Sequence, residues 1–264
     1  MLTFLKLGGS LITDKRQEST FRPSVMNRLS TEIASALKEN PDFKLIIGHG
    51  SGSFGHMVAN KYNTINGVSS STEWRGFAKV ATIASELNYL VANSLKEADL
   101  PIWRIQPSAS ALAHDGKIID MSIRSIEQAI IQNLIPLVYG DVSLDEVRGG
   151  TIISTETILS YLIQKLPIKR IILLGEVDGV FDQSGNVIPH ITPSNFESYK
   201  SALKGSDGVD VTGGMLTKVS DMLHLVKRYD GLGIMICNGK TTGETQQVLS
   251  GEQSIGTLIT TDNN

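Results

Sequence analysis

Lys44-Leu-Ile-Ile-Gly-His-Gly-Ser-Gly-Ser-Phe-Gly-His56 runs from a short apolar stretch, Leu45 to Ile47, into four glycines within eight residues, bracketed by His49 and His56. The apolar stretch reads as a buried strand and the glycines as the turn that follows it. Lacking side chains, such a backbone comes close to an anion and turns its N–H groups on it. The helix expected from about Ser53 adds its positive end. A phosphorylated ligand is the first expectation. Gly50, Gly52 and Gly55 also match the Gly-x-Gly-x-x-Gly spacing of dinucleotide folds. That fingerprint requires a helix and then a second apolar strand ending in an acid about 20 positions on. Here Asn60 to Gly67 is polar and loop-like, and His56 stands where a small residue is wanted, so the dinucleotide reading is set aside.

A chain of 264 residues can bury a sizeable core, as one large domain or two lobes. Apolar residues at 41%, charged residues at 19% and a net charge of −3 describe an ordinary globule without the basic excess that favours nucleic acid. Any anion site is therefore local. No apolar run approaches the roughly 20 residues that span a bilayer, and the N-terminus enters a strand without a signal-peptide pattern. The expectation is a cytoplasmic chain that binds neither membrane nor nucleic acid. The single cysteine, Cys237, excludes an intrachain disulfide, and its setting in Gly233 to Asn238 is that of a buried strand, a core residue rather than a nucleophile.

Residues 2–8 form a strand that ends in Gly8-Gly9-Ser10, with Lys6 inside it. A lysine in an apolar strand needs a partner for its charge. An edge-strand lysine that blocks sheet extension is the bland alternative; the glycines and serine that follow favour an anion site. Lys15, in the polar loop Thr13 to Glu18, looks by itself like a solvated charge.

Pro23 opens an amphipathic helix to about Asn40 with Val25, Leu29, Ile33 and Leu37 on its apolar side. A longer helical pattern covers Thr72 to Ala98. Its stripe (Phe77, Val80, Ile83, Ala84, Leu87, Leu90, Val91, Leu95) faces the core, with a few positions free to line an apolar ligand pocket. Pro101 to Gln106 reads as a strand and Gly116 to Asp120 as a hairpin arm. Ile123, Ile126, Ile130 and Ile131 share the apolar side of a helix, Leu134 to Asp141 is a buried strand ending in a Gly-Asp turn, and residues 151–166 return to helix. After Pro167 the alternation restarts. Arg170 to Gly175 is a strand, Glu176 to Asp182 a sharp turn and Thr192 to Leu203 a helix. Asp210 to Lys218 carries a glycine pair at a helix N-terminus, and Leu232 to Cys237 and Gly256 to Thr260 are the last strands. This predicts an α/β fold with a mainly parallel sheet covered on both faces, its lobes being 1–167 and 168–264. Gly239-Lys240-Thr241 ends like a Walker loop, but the first glycine would fall at position 234, which is Ile.

Three glycine-rich turns, each with a lysine in or near it (Lys6, Lys15, Lys218), and no Ser/His/Asp or Cys/His set point to phosphoryl transfer. Its transition state spreads negative charge over the transferred group, so catalysis needs placed cations and backbone donors more than covalent machinery.

Lys6-Leu-Gly-Gly-Ser10, the loop at 48–56, Val177-Asp-Gly-Val-Phe181 and Asp210-Val-Thr-Gly-Gly-Met215 with Lys218 together resemble the amino acid kinase superfamily, and their order covers nearly the whole chain. Within it, His49 to His56, Gln106-Pro-Ser-Ala109, Val138-Tyr-Gly-Asp141 and Asp210 to Met215 look like the isopentenyl phosphate kinases. The resemblance implies an open αβα sandwich, an N-terminal acceptor lobe and a C-terminal nucleotide lobe sharing one sheet, and a homodimer. The implied reaction turns ATP and isopentenyl phosphate into ADP and isopentenyl diphosphate; Mg²⁺ is expected as well, because the β/γ-phosphates need more neutralisation than three lysines supply. By position, Lys6, Gly8, Gly9 and Ser10 hold ATP phosphates, Lys15 stabilises the transferring group, and Gly213, Gly214 and Lys218 hold the β/γ-phosphates from the other side. Asp178 to Phe181 lie near the nucleoside. Ser51, Gly52 and His56 hold the acceptor's phosphate, supported by Thr155 and Glu156, with Gly52 also on the nucleotide side.

The chain departs from the family pattern twice. Ser51 adds a hydroxyl where Ala or Gly is common, and Ser154-Thr-Glu stands where Ser-Gly-Asp is usual, which lengthens the acidic arm at Glu156. The competing readings are a related small-molecule kinase, such as fosfomycin kinase with its histidine-ended loop, and a silent nucleotide-binding sensor, against which the three lysines argue.

Overall fold

The computed structural model describes residues 1–62, 64–204 and 214–262, with the side chains of residues 56, 57, 60 and 204 excepted. Strand β1 (Leu2–Leu7) leads through Gly8 into the single turn α1 (Gly9–Ile12) and then into α2 (Pro23–Glu39), where Pro23 sits at a position whose N–H has no helical partner anyway. Strand β2 (Lys44–His49) feeds α3 (Gly52–Tyr62). The long α4 (Ser71–Glu97) is started by Ser70 and Glu73, whose side chains each accept the other's backbone N–H. Next come β3 (Ile102–Arg104), β4 (Leu112–His114), β5 (Lys117–Asp120), α5 (Arg124–Ile131) and β6 (Ile135–Tyr139). They are followed by β7 (Asp141–Asp145), β8 (Gly149–Ile153), α6 (Thr155–Lys165) and β9 (Ile168–Gly175). The described chain ends with β10 (His190–Ile191), α7 (Phe196–Lys204), α8 (Gly214–Arg228), β11 (Gly233–Asn238), α9 (Glu244–Ser250) and β12 (Thr257–Ile259).

One eight-stranded sheet in the order β10-β12-β11-β9-β1-β2-β6-β3 runs through the molecule, parallel at every pairing but β11 with β12. Its strands are apolar almost throughout because both faces are covered. Successive side chains alternate between those faces. Leu5, Leu7, Leu45, Ile47, Ile172 and Leu174 join Met26, Leu29 and Ile33 of α2, Leu87 and Val91 of α4 and Val248 of α9. Phe4, Ile46, Ile171 and Ile234 join Ile158 and Leu162 of α6 and Val219 and Leu223 of α8. The architecture is the expected αβα sandwich. Alternation also settles where Lys6 goes: two residues after Phe4, it projects toward α6.

Four sequence expectations need correction. Residues 141–153 do not pass from a turn into helix; β7 and β8 pair antiparallel and belong to a second sheet, β5-β4-β7-β8. Asp145 makes this hairpin's turn, its Oδ1 accepting the N–H groups of Val147 and Arg148 at 2.9 and 2.8 Å. The helix starts only after Ser154, whose hydroxyl caps the N–H of Thr157 at 3.0 Å. Residues 60–62 continue α3 rather than forming a loop, α7 begins at Phe196 instead of Thr192, and Ile131 is 63% exposed because it lies about 100° around the helix from Ile130.

Candidate active site

The C-terminal ends of the central strands line up: Leu7 faces His49 of β2 and Leu174 of β9, His49 faces Tyr139 of β6, and Gly175 faces Asn238 of β11. From β1 the chain goes to β2 on one side, and β9 later fills the other. Ligands of open parallel sheets bind at such a reversal, outside the carboxyl ends of the strands, where connections part and leave a crevice.

Two glycine loops meet there back to back. The N–H of Gly8 donates to Leu174 O at 2.8 Å, and that of Gly50 to Leu7 O at 3.0 Å. A Cβ on Gly9 would lie 2.4 Å from Gly52 N. Thr13 ties the loops together: its Oγ1 donates to Gly9 O at 2.7 Å and accepts the N–H of Ser53 at 2.9 Å. Gly52 has φ +49°, and a Cβ there would stand 2.0 Å from Thr13 Oγ1. Gly52→Ala is therefore expected to destabilise the fold by at least the ~1–2 kcal/mol of a left-handed backbone, with further loss from displacing Thr13. Denaturant unfolding measures this, and an unchanged midpoint would mean that the loops are not locked.

The predicted lysines fall differently. Lys6 reaches an ion pair with Glu156 in the first turn of α6, the lysine side chain 17% and the carboxylate 61% exposed. Crowding in the crevice opposes ionisation of Glu156, but the Lys6 ammonium outweighs it and holds the carboxyl below its usual range. Lys15 is exposed on the loop between Thr13 and Phe21, which is closed by Asp14 N donating to Thr20 O at 2.9 Å. Lys218 lies exposed near the start of α8. Gly214 opens that helix with φ +70°, and Gly213, with Asp210 to Thr212, falls outside the described residues.

On the β9 side, Glu176 accepts from Arg22 Nη1 at 3.1 Å and Lys240 Nζ at 2.9 Å. Burial pushes its carboxyl up, but these cations prevail and hold it below the ordinary value. Arg22 Nη1 also donates to the carbonyl of Ser10 at 3.1 Å. Asp178 accepts from Asn238 Nδ2 at 2.6 Å, beside the exposed side chains of Val177 and Phe181. Sequence reasoning missed Arg22, Glu176, Lys240 and Thr13, because nothing local marks a charge or hydroxyl whose partner lies tens of residues away.

On the β2 side, Ser51 accepts the N–H groups of Phe54 and Gly55 through its carbonyl at 3.1 and 3.3 Å. His56 stands in α3 four positions after Gly52, one turn in. Thr155 is 1% exposed and spends its hydroxyl on His49 O at 2.6 Å, so it positions the loop from behind rather than facing the crevice. The Gln106 to Ala109 and Val138 to Asp141 motifs join here too. Buried Asp141 accepts the N–H of Ser108 at 3.1 Å, and burial raises its carboxyl despite that bond. A small apolar cluster of Val58, Ala59, Val80 and Val142, with Phe77 and Ile152 against it, lies between α3, α4 and the β7–β8 hairpin. A cavity of about 800 Å³ opens elsewhere along α4, lined by Phe21, Phe54, Ser85, Tyr89, Arg104 and Gln106.

Among the described residues no group of three or more His, Cys, Asp or Glu side chains is disposed to hold a metal ion. No helix among the described residues is long and apolar enough to cross a membrane.

A model of the Amino acid kinase family matches residues 1–238. Isopentenyl phosphate kinase of Methanocaldococcus jannaschii is 34% identical over 259 residues, 96% of each chain. That of Methanothermobacter thermautotrophicus is 32% identical over 269 residues, 98% of this chain and 99% of the relative. A crystal structure of an isopentenyl phosphate kinase superposes with a TM-score of 0.81 at 29% identity, covering 98% of this chain and all of the other. With the family model spanning both glycine loops and every strand of the central sheet but β12, the chain belongs to the amino acid kinase family.

Proposed function

We propose that the chain transfers the γ-phosphoryl group of ATP to isopentenyl phosphate, giving ADP and isopentenyl diphosphate. The observation that carries the reading is the back-to-back contact of the Gly8-Gly9 and Gly50 to Gly52 loops, with Lys6 on the strand that leads into the first of them. Two polyanions can then approach the backbone of the two loops from opposite sides at the reversal of strand order. ATP takes the β9 side, with Gly8, Gly9 and Ser10 on its phosphates, Glu176 to Phe181 near the nucleoside and Lys218 approaching from α8. The acceptor takes the β2 side, on Ser51, Gly52 and His56. These correspond to a nucleotide lobe, 168–264, and an acceptor lobe, 1–167, that share one sheet.

The chemistry asks little of the protein beyond placement. A phosphate monoester with a second pKa near 6 is mostly dianionic at neutral pH and is its own nucleophile. What opposes the reaction is repulsion between it and the γ-phosphoryl group, which Lys6 and Lys15 offset. Glu156 keeps Lys6 extended into the crevice, its longer arm crossing from α6 where the family has Asp. Mg²⁺ carried in with the nucleotide would supply the remaining neutralisation of the phosphates. The working form is a cytoplasmic homodimer.

A coupled ADP-release assay over isopentenyl phosphate, dimethylallyl phosphate, fosfomycin, UMP, acetylglutamate and carbamate tests the reading. Turnover is expected with the isoprenyl phosphates, and preference for any other acceptor would overturn it. The five-carbon tail is assigned to the apolar cluster around Phe77, whose ring stands edge-on to Trp74 at 5.3 Å and covers Gly150. Phe77→Ala is expected to raise kcat/KM for a ten-carbon isoprenyl phosphate about tenfold relative to isopentenyl phosphate, a pocket discrimination of the size one or two methylenes give. An unchanged chain-length profile would move the tail elsewhere.

A further inference from the structure

His49 stands at the hinge between β2 and the acceptor loop, 1% exposed and stacked on the ring of Tyr139 with centroids 5.7 Å apart and planes 9° off parallel. Both ring nitrogens are engaged. Nδ1 lies 3.1 Å from the carbonyl oxygen of Gly50, and Nε2 lies 3.1 Å from Nδ2 of Asn88, itself wholly buried. Arg104 Nε donates to Oδ1 of Asn88 at 2.7 Å, and Arg104 also lines the cavity along α4.

Donor and acceptor chemistry gives this chain a direction. A guanidinium only donates, so the Asn88 atom facing it is the oxygen, and the atom facing His49 is the amide nitrogen, also a donor. Nε2 of His49 must then accept and carry no proton. The Gly50 carbonyl only accepts, so Nδ1 must carry one. The two ends impose the same neutral tautomer independently. An imidazolium would set an N–H against the N–H of Asn88, and burial holds the ring neutral, its pKa lowered to about 4. The consequence falls on the loop. The Gly50–Ser51 peptide is trans, so holding its C=O toward the buried imidazole turns the N–H of Ser51 the opposite way. Thr155 and Gly140 hold the preceding carbonyl, that of His49, at 2.6 and 3.2 Å.

We propose that His49 is a positioning residue of the acceptor loop, acting as the Nδ1–H tautomer to aim the Ser51 N–H at the incoming phosphate, and that Asn88 and Arg104 impose that tautomer. The identity of the phosphate rests on the kinase reading above; the orientation of the loop does not.

The tautomer is read on the unmodified protein by ¹⁵N NMR of its imidazoles: the His49 proton is expected on Nδ1 with Nε2 bare, and a proton on Nε2 overturns the proposal whatever any variant does. Two substitutions separate positioning from filling. Asn places its amide nitrogen where Nδ1 stood, whereas Gln, nearer histidine in volume, places its own where Nε2 stood. If the donor to Gly50 matters, His49→Asn retains a lower KM for isopentenyl phosphate than His49→Gln by roughly tenfold, the worth of one hydrogen bond, with kcat and ADP binding changing less. If His49 only fills space, the order reverses and the proposal fails. Asn88→Asp supplies an acceptor in place of a donor, moves the proton to Nε2, and is expected to raise the same KM about as far as His49→Gln. An unchanged KM with a shifted tautomer would also overturn it. Absence of turnover by the unmodified chain would count against the kinase reading alone.

Discussion

Lys6→Met is expected to lower kcat by about two to three orders of magnitude, the range for losing one preorganised charge contact at a developing anion, while the KM for ATP rises far less. The side chain leaves β1 on the α6 face, is only 17% exposed, and ends against Glu156 in the first turn of α6. An ion pair whose carboxylate is 61% exposed adds little to stability, since exposed pairs are worth about 0–1 kcal/mol. The variant should therefore fold, and its thermal midpoint should stay close to the parent's. A large loss of rate with little loss of stability separates a lysine that serves the transferring phosphoryl from one that merely staples α6 to β1. Lys15→Ala is the companion. Lys15 is exposed on the Thr13 to Phe21 loop, so a comparable loss of kcat would mean that this loop brings it to the nucleotide. Steady-state kinetics with saturating acceptor decides both, and a fall of less than tenfold in Lys6→Met would sink the assignment of that residue.

The parts of the site legible in the sequence are those whose signal is local. Gly8, Gly9 and the glycines at 48–55 announce backbone that must pack closely, and each of them now has a neighbour that a Cβ would strike or a turn that it makes. Lys6 was legible because a charge inside an apolar strand is anomalous on its own. The β7–β8 hairpin was not. Its strands are five residues each, and Gly149-Gly150 reads as an end of structure, whereas the Asp145 carboxylate that organises the turn by collecting backbone N–H groups looks like any acid. Thr13 was equally silent. It matters because α1 is a single turn that returns it beside Gly9 and within reach of Ser53, a contact across forty residues that no periodicity encodes. The same holds for His49, Asn88 and Arg104, which lie on three separate strands and helices and meet only when β2, α4 and β3 are packed. Departures from a family pattern carried a different kind of information. Glu156 in place of Asp raised the question of reach, and the longer arm does meet Lys6.

His56→Ala is expected to reduce kcat with isopentenyl phosphate by at least about a hundredfold, as for loss of a preorganised donor, and to leave ADP affinity by calorimetry within about twofold. The position follows from helix geometry: α3 begins at Gly52, and His56 lies four residues on, one turn deeper in the helix, after a loop whose glycines press against the Gly8-Gly9 loop. An acceptor that is already a dianion has no need of a base to remove a proton. It needs a group that will receive a second negative charge near ATP without gripping the ground state so tightly that product cannot leave. An imidazole at a helix start donates one hydrogen bond and shares the field of the helix N-terminus, where a fixed ammonium would bind substrate and product alike. It follows that His56→Gln, which still donates, should keep more activity than His56→Ala, whereas His56→Lys, with a full charge, should lower KM for the acceptor but slow turnover through product release. Weakened ADP binding in His56→Ala would place the residue on the nucleotide side. Unaltered turnover of isopentenyl phosphate would remove it from the acceptor site altogether.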